Sequence, residues 1–224
     1  MDYKSKIILI AGPTASGKSK IAINLAKKIN GEIVNADSMQ VYKQLKILTA
    51  RPTGEDRKNI KHYLFGIIDV RKRFSTGQWL KECTKTINLI RKRKNVPIIV
   101  GGTGLYFKAL VDGLVRIPKF KSSDKNKILK LHNKLGQNQF YKKLIKLDPI
   151  SKKFVNPNDV NRSIRAYEVK KLTKKSLYKW FNETETYFDK NDFVMTYVDY
   201  PRDKLIMNIK KRIDKMFDLG AIEE

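Results

Sequence analysis

The sequence contains a single cysteine, Cys83, and only two histidines, His62 and His132. One cysteine excludes an intramolecular disulfide and a cysteine-based metal cluster, and two isolated histidines do not suggest a histidine metal site. No apolar run is long enough to cross a bilayer, and the N-terminus lacks a signal-peptide pattern. We therefore expect a soluble, cytoplasmic protein.

Acidic residues are also scarce, because 22 Asp and Glu stand against 48 Lys and Arg, which gives a net charge of +26. Such a field attracts polyanions and makes binding to nucleic acid fast and salt-dependent. The lysines are spread along a chain that is also rich in Asn and Ile, so compositional drift explains about half of the surplus. Charge alone supports a nucleic-acid partner without establishing one.

The first motif is a phosphate-binding loop. An apolar run, Ile7–Ala11, leads directly into GPTASGKS at 12–19, and a helical pattern follows. Glycines let successive backbone N–H groups point at phosphate oxygens, and the dipole of the following helix favours an anion at its N-terminus. The residues expected to bind a di- or triphosphate, as in ATP-binding proteins, are Gly12, Pro13, Thr14, Ala15, Ser16, Gly17, Lys18 and Ser19. The Ser19 hydroxyl is expected to ligate Mg²⁺.

The first half of the chain alternates strand and helix patterns, which predicts an α/β fold with a P-loop NTPase-like parallel sheet flanked by helices. Strands are predicted at 7–11, 32–36, 96–100 and 193–200, and helices at 77–92 and after the glycines at 101–104. The predicted domains are a core α/β domain at 1–117, a small all-helical insertion at 118–188 and a return to the core at 189–224.

The predicted insertion follows a linker at 117–123 and is expected to be helical from 124 to about 185. Two apolar stripes precede an N-cap region at Asn158 and Asp159, after which Val160, Ile164 and Tyr167 are expected to face inward. A final helix has a large apolar face that we expect to be covered, formed by Leu205, Ile209, Ile213, Met216 and Phe217.

A phosphate loop leaves three classes open: an NTP-hydrolysing switch, a small-molecule kinase, and a transferase with a diphosphate leaving group. A switch needs an acidic residue at the end of a second apolar strand to hold magnesium. The strand at 96–100 instead runs into Gly101-Gly102-Thr103-Gly104, and Asp69 is only a substitute candidate. The switch interpretation is therefore less favoured.

Asp37 follows the second predicted strand, at the edge of the sheet where the phosphate loop also lies. Its carboxylate is a candidate general base or a magnesium-orienting group, and capping of the next turn is the alternative. Ser38, Met39 and Gln40 are candidates to line an acceptor pocket, in which Gln40 can read a base edge bidentately. Thr103 enters the same crevice unless it only forms a turn.

Asn161, Arg162 and Arg165 lie on a predicted helix of the insertion, with the two arginines on one face. They are candidates to grip a nucleic-acid backbone or base edge, and a solvated basic face is the alternative.

Together these segments resemble the tRNA dimethylallyltransferase (tRNA isopentenyltransferase) family. The matching motifs run in order along nearly the whole chain: GPTASGKS at 12–19, ADSMQVYK at 36–43, TARPT at 49–53, VGGTGLYFKAL at 100–110, PNDVNRSIRAYEV at 157–169 and the last helix from 202 onward. Five or more collinear motifs are far more specific than one phosphate loop.

The resemblance implies transfer of a dimethylallyl group from dimethylallyl diphosphate to N6 of the adenosine 3′ of the tRNA anticodon. The phosphate loop would hold the diphosphate with Mg²⁺, Asp37 would act as general base or N6 acceptor, and Thr103 would contact the substrate in the channel. The residues that it implies for tRNA binding are Asp37, Ser38, Met39, Gln40, Asn161, Arg162, Ser163, Ile164 and Arg165.

The chain departs from the family pattern at three places. Asn161 stands where Gln is usual, the segment around 44–48 is more often Gly-rich, and family members continue beyond the last residue here. We therefore expect a chain truncated at its C-terminus, monomeric, with completion by a separate fragment as one option. A nucleotide kinase on the same fold and a non-catalytic fragment that binds tRNA or diphosphate remain alternatives.

Overall fold

A computed structural model describes residues 3–57 and 60–224. In this part of the chain the strands are β1 (Ile7–Ala11), β2 (Gly31–Asn35), β3 (His62–Tyr63), β4 (Val96–Gly101), β5 (Leu114–Val115), β6 (Thr184–Glu185) and β7 (Phe193–Tyr197). The helices are α1 (Lys18–Ile29), α2 (Gly54–Arg57), α3 (Thr76–Lys92), α4 (Gly104–Asp112), α5 (Ser122–Leu147), α6 (Val160–Thr173), α7 (Leu177–Trp180) and α8 (Arg202–Asp218). None of the described helices is long and apolar enough to span a membrane.

The chain divides into two compact units, one formed by Met1–Asp112 with Thr186–Glu224 and the other by Gly113–Glu185. The first unit holds a five-stranded parallel sheet in the order β3-β2-β4-β1-β7. The strand prediction at 7–11 is confirmed, the strand predicted at 32–36 lies one residue earlier at both ends, and the strand predicted at 96–100 is one residue longer at its carboxyl end. The strand predicted at 193–200 ends earlier, and β3 was not predicted because two half-buried residues carry no periodicity.

The three central strands β1, β2 and β4 are almost continuously apolar because helices cover both faces of the sheet. On one face Ala22 and Ala26 of α1 pack against Ile8, Ile10 and Ile98. The predicted face of α3, with Trp79, Leu80, Cys83, Ile87 and Ile90, is entirely buried. This packing fixes the carboxyl ends of β1, β2 and β4 at one edge of the sheet.

The ends of β2 and β4 approach so closely that only glycine fits between them. A Cβ atom on Gly101 would lie 2.0 Å from the Ala36 carbonyl oxygen, which is backbone and cannot rotate away. The close approach lets the Thr103 N–H donate to the same oxygen at 3.1 Å. The Gly101-Gly102 pair therefore brings the loop after β4 against the loop after β2.

The second unit packs α5, α6 and α7 around its own core, in which Phe140, Leu144 and Tyr167 are buried. Gly136 has φ 70° and breaks α5 between the two predicted apolar stripes. Asp159 caps α6 as predicted, its carboxylate accepting from the Arg162 N–H at 2.9 Å.

Three expectations for this unit are wrong. The segment is not helical up to 185, because β6 pairs antiparallel with β5. The linker predicted at 117–123 gives way to α5 at Ser122. Val160, the first residue of α6, is exposed and not turned into the core of the unit.

The last helix, α8, contains no buried residue. Its predicted apolar face is half-buried at Leu205, Ile209 and Met216 and exposed at Ile213 and Phe217. The covering that we expected for this face is not present among the described residues.

Candidate diphosphate and acceptor site

The phosphate loop connects β1 to α1 in the arrangement that the motif predicts. Gly17, at the N-cap of α1, has φ 80°, a left-handed conformation that glycine adopts without steric cost. A Cβ on Gly12 would lie 3.0 Å from the Val198 carbonyl oxygen. The Ser16 hydroxyl is buried and has no hydrogen-bond partner among the described residues. A buried hydroxyl without a partner, in a loop that ends at the N-terminus of α1, suits an anion.

Lys18 supplies the loop with a cation. Its ammonium donates to the Pro13 carbonyl at 2.9 Å across the mouth of the loop. Burial holds the pKa of this ammonium below its ordinary value; the negative charge of Asp37 acts against that lowering, and the positive charge of Arg212 adds to it. The three charged groups are therefore close enough to interact, although they come from α1, the loop after β2 and α8.

Helix α8 brings two further polar side chains to the loop, and neither was predicted. Asn208 donates its amide to the Ala15 carbonyl at 3.3 Å. Arg212 lies one turn further along the same face, and its Nε is buried with no hydrogen-bond partner in the part of the chain that the structure describes. A half-buried guanidinium with an unused donor, beside Lys18, makes a second cation available to an anion in the loop.

Magnesium has few protein ligands here. Ser19 lies at the start of α1 and is exposed, so its hydroxyl is accessible to an ion. No group of three or more Asp, Glu, His or Cys side chains within the described ranges 3–57 and 60–224 could hold a metal. These residues fit an ion held mainly by the oxygens of a bound diphosphate, with one or two protein contacts, as is usual for Mg²⁺.

Asp37 is held rigidly. Asn35, fully buried at the end of β2, accepts from the Asp37 N–H at 2.9 Å and donates to the Asp37 carbonyl at 2.9 Å. One carboxylate oxygen of Asp37, Oδ1, accepts from the Met39 N–H at 2.8 Å. The turn-capping alternative is therefore present in the structure, and within residues 3–57 and 60–224 no hydrogen bond engages Oδ2, so the two interpretations are compatible.

Thr103 closes the same crevice from the other side. Its hydroxyl accepts from the Ser38 N–H at 2.9 Å and donates to the Ser38 hydroxyl at 3.3 Å. Tyr106, one turn later in α4, stacks on Trp79 with ring centroids 4.2 Å apart. Burial, with the nearby Tyr42 and the charge of Asp37, raises the pKa of Tyr106 to about 12, so its phenol stays protonated at neutral pH.

Gln40 has only one end available for a ligand. Its Nε2 donates to the carbonyl oxygens of Thr49 at 2.8 Å and Ala50 at 3.2 Å. Both partners are acceptors, so the nitrogen must face them and both of its hydrogens are used. Bidentate reading of a base, which needs a free donor and a free acceptor, is therefore wrong for this arrangement. Met39 is exposed beside it.

Asp69, the substitute candidate for a magnesium ligand, is engaged elsewhere. Both carboxylate oxygens accept from the Arg71 guanidinium, at 2.8 and 2.9 Å, and Gln44 donates to one of them. These hydrogen bonds hold the pKa of Asp69 far below its ordinary value. A carboxylate that is already neutralised by its own loop is a poor candidate for the metal.

The predicted tRNA contacts at 161–165 lie in the second unit. Asn161 and Arg162 are exposed, and Arg165 is partly exposed, pairing with Glu168 at 3.3 Å and lying over the Phe120 ring. Ser163 is fully buried, and its hydroxyl accepts from Gln137 at 3.1 Å. Ile164 packs against the core of the unit. The outward side chains of this segment are thus the two arginines and Asn161.

Sequence reasoning missed Asn35, Tyr106 and Arg212 for different reasons. Asn35 carried a signal, since it is the one polar residue between apolar Val34 and Ala36 at a strand end. Tyr106 sits within the quoted GGTGLYF segment but has an apolar appearance. Arg212 is one of several basic residues on an amphipathic helix, and nothing in the sequence distinguishes it from its neighbours Lys210 and Lys211.

The fold and the site together define a class: a P-loop α/β protein whose sheet edge carries a carboxylate and a threonine beside the phosphate loop, without the strand-end acidic residue of an NTPase. The family model described as IPP transferase matches residues 40–224. The chain belongs to that family.

Individual relatives agree with this assignment. The chain is 54% identical over its full length to a tRNA dimethylallyltransferase of Pelagibacter ubique (strain HTCC1062), of which it covers 72%. It is 38% identical over 98% of its length to one of Ehrlichia canis (strain Jake), of which it covers 73%.

Solved structures give the same answer. A eukaryotic dimethylallyltransferase acting on tRNA aligns with a TM-score of 0.83 and 32% identity, covering 97% of this chain and 54% of that one. A tRNA isopentenylpyrophosphate transferase from Bacillus halodurans aligns with a TM-score of 0.64 and 34% identity, covering 98% and 68%. The comparisons favour a prenyltransferase acting on tRNA over the kinase and the non-catalytic fragment.

Proposed function

We propose that this chain transfers a dimethylallyl group from dimethylallyl diphosphate to N6 of the adenosine 3′ of the anticodon in tRNA. The observation that carries the proposal is the placement of Asp37 near the phosphate-loop Lys18 at one edge of the sheet, where the Asp37 charge partly offsets the lowering of the Lys18 pKa by burial. A leaving-group site and a nucleophile-activating site therefore adjoin each other in the same unit.

The leaving group binds in the phosphate loop. The backbone N–H groups of residues 14–18, the Ser16 hydroxyl and the two cations Lys18 and Arg212 supply donors for a diphosphate. Negative charge grows on the bridging oxygen as the allylic carbon–oxygen bond breaks, so these donors act more strongly in the transition state than in the ground state. Mg²⁺, held mainly by the diphosphate and touching Ser19, would neutralise further charge.

The acceptor is activated at Asp37. Its Oδ1 is fixed by the Met39 N–H, which aims the carboxylate and leaves Oδ2 to accept a hydrogen bond from the adenine amine. As N6 forms its bond to the allylic carbon, the bond from that carbon to diphosphate breaks and the N6 proton passes to the carboxylate. The adenine must leave its stack to reach this position, as enzymes acting on bases require.

The residues around Asp37 shape the acceptor pocket. The Thr103 and Ser38 hydroxyls are joined at 3.3 Å and line one wall, and the protonated Tyr106 is buried against Trp79. Gln40 offers only its Oε1, so it selects a base edge that presents a donor, such as an exocyclic amine. Gln40, Ser38 and Met39 are thus the proposed tRNA contacts on this side of the pocket.

The second unit binds tRNA through its basic surface. Arg162 has a highly exposed side chain with only a loose ion pair to Asp159 at 3.4 Å. Together with Asn161 and Arg165 it can contact backbone phosphates, which position a nucleic acid without reading its sequence. Ser163 and Ile164 keep the helix in place from inside.

The test is a transfer assay. The 224-residue chain is incubated with Mg²⁺, labelled dimethylallyl diphosphate and an unmodified tRNA with adenosine 3′ of its anticodon. Label in the tRNA is expected, located at N6 by nucleoside analysis, and the same tRNA with guanosine at that position is the control. Phosphoryl transfer from ATP to a small acceptor, with no label in tRNA, would instead identify a kinase.

A further inference from the structure

The last residue of the sequence, Glu224, is bound to a loop nearly 180 positions earlier. Its carboxylate oxygens accept from three successive backbone N–H groups: Lys46 at 2.6 Å, Ile47 at 2.7 and 3.0 Å, and Leu48 at 2.9 Å. Consecutive amides that converge on one anion form a nest, which holds a carboxylate more firmly than scattered donors do. Glu224 thereby fixes the conformation of this turn.

The charge of this carboxylate is stabilised where it lies. Burial acts to raise the pKa of Glu224, but the three amides and the positive charge of Arg51 outweigh it and hold the pKa below the ordinary 4.5. The groups that face the carboxylate are thus donors or cations, and it remains ionised at neutral pH.

The same loop holds Gln40 from its other side. The carbonyls of Thr49 and Ala50, directly after the nest, receive both hydrogens of the Gln40 amide. The Thr49 hydroxyl donates to the Leu45 carbonyl at 2.6 Å, and the Arg51 N–H donates to the Lys46 carbonyl at 3.0 Å, so both ends of the loop are tied together. The amides at 46–48 and the carbonyls that bind Gln40 therefore belong to one hydrogen-bonded loop.

We propose that Glu224 is a positioning residue for RNA recognition: by binding the 46–48 amides it fixes the loop that aims the Gln40 side-chain oxygen at a nucleotide of the tRNA. The inference rests on the proposed role of Gln40 as a tRNA contact. Glu224 itself touches no substrate.

The variants for the test are Glu224→Gln and its neighbour Glu223→Gln. Glu224→Gln keeps the size of the side chain but places an N–H₂ group against amide donors, which breaks the nest. Glu223 is exposed and adjacent, so Glu223→Gln makes the same change in net charge outside the nest. Loss of a negative charge alone strengthens RNA binding in both variants. Weaker binding in only one of them is therefore not a charge effect.

The measurement is the affinity of the full chain for a fluorescently labelled anticodon stem-loop RNA. Glu224→Gln and Gln40→Ala are each expected to weaken binding about five-fold, the value of one hydrogen bond. The double variant is expected to be no weaker than Gln40→Ala alone, because both changes remove the same contact. Affinity for dimethylallyl diphosphate should not change, and faster hydrogen exchange should appear at 46–48 in Glu224→Gln only.

Three results would overturn the proposal, and the first two differ in whether the role of Gln40 survives. If Gln40→Ala weakens binding but Glu224→Gln binds as tightly as Glu223→Gln, Glu224 does not position Gln40, and the role of Gln40 stands. If Gln40→Ala leaves affinity unchanged, Gln40 is not a tRNA contact, and that part of the proposed function fails together with the role of Glu224. If the loss of affinity in the double variant equals the two single losses combined, the two changes do not remove the same contact, and the proposal is refuted.

Discussion

Replacing Asp37 by Asn separates the two tasks that the structure gives to this carboxylate. The Asn side chain keeps an oxygen that can accept from the Met39 N–H, now 2.8 Å from Asp37 Oδ1, so the turn after β2 remains capped. What disappears is the negative charge and the ability to take a proton from N6. Replacement by Ala removes the cap as well, and comparison of the two variants isolates the charge.

The expected sizes follow from these contacts. Loss of a general base lowers turnover by about 10²- to 10⁴-fold, which is about 3 to 5 kcal/mol of activation free energy. The Asn variant should unfold at nearly the wild-type temperature, whereas Ala should cost about 1 kcal/mol through the lost cap. Affinity for the diphosphate should hold or rise in both, because the Asp37 charge that opposes an anion near Lys18 has gone.

The assay is single-turnover transfer of labelled dimethylallyl groups to tRNA, with diphosphate affinity measured by calorimetry on the same preparations. Turnover and diphosphate affinity should move in opposite directions or independently, which a general folding defect cannot produce. Wild-type transfer rates in Asp37→Asn would refute the assignment of Asp37. A parallel loss of diphosphate binding would show instead that Asp37 organises the phosphate loop.

Three further predictions use other contacts of the first unit. Gly101→Ala should destabilise the protein by about 1 to 3 kcal/mol by overpacking against backbone, whereas Gly104→Ala, with open space at its Cβ, should be nearly neutral in denaturant unfolding. Arg212→Gln should weaken diphosphate binding by about ten-fold, the loss of a charged hydrogen bond, without lowering affinity for an anticodon stem-loop; unchanged diphosphate affinity would remove Arg212 from the site. At Glu32, burial acts to raise the carboxyl pKa, but hydrogen bonds from Arg93, Tyr63 and Asn95 outweigh it and hold the pKa below the ordinary 4.5. A carboxyl group with a depressed folded-state pKa stabilises the protein at pH values above its ordinary pKa, and this stabilisation is lost as the pH falls through the folded-state pKa. The melting temperature should therefore fall more steeply below about pH 4.5 in the wild type than in Glu32→Gln. Parallel pH profiles of the two proteins would contradict this.

The core of the fold could be predicted because its signals are local. Short apolar runs next to glycines identified β1, β2 and β4, and the 3.6-residue spacing on α3 identified all of its buried residues except Thr86. The β5–β6 pair could not be found in this way. Each strand has two residues, and they are brought together from Leu114 and Glu185 by the packing of the helices between them.

The residues of the candidate site differ in the same way, because some are marked by local sequence signals and others by contacts between distant segments. Lys18, Asp37 and Thr103 follow strand ends, so the geometry of a parallel sheet predicts that they share one edge. Arg212 and Glu224 reach the site or its loops from α8 and beyond it, and their contacts depend on how that helix crosses the sheet. Bidentate reading by Gln40 failed for a related reason: the carbonyls that occupy its nitrogen come from a loop about ten residues away, which the sequence does not place.

The distribution of charge now bears on whether the +26 surplus is functional. Uniform compositional drift would give each part of the chain a share in proportion to its length. The unit Gly113–Glu185 comprises about a third of the residues but holds half of the surplus, nineteen Lys and Arg against six Asp and Glu. The same unit carries Arg162 on its surface and has no phosphate loop, so a small diphosphate does not account for its charge. A long polyanion does, because every phosphate it neutralises releases a counterion, and the helical unit is therefore where the salt dependence of tRNA binding should mainly arise.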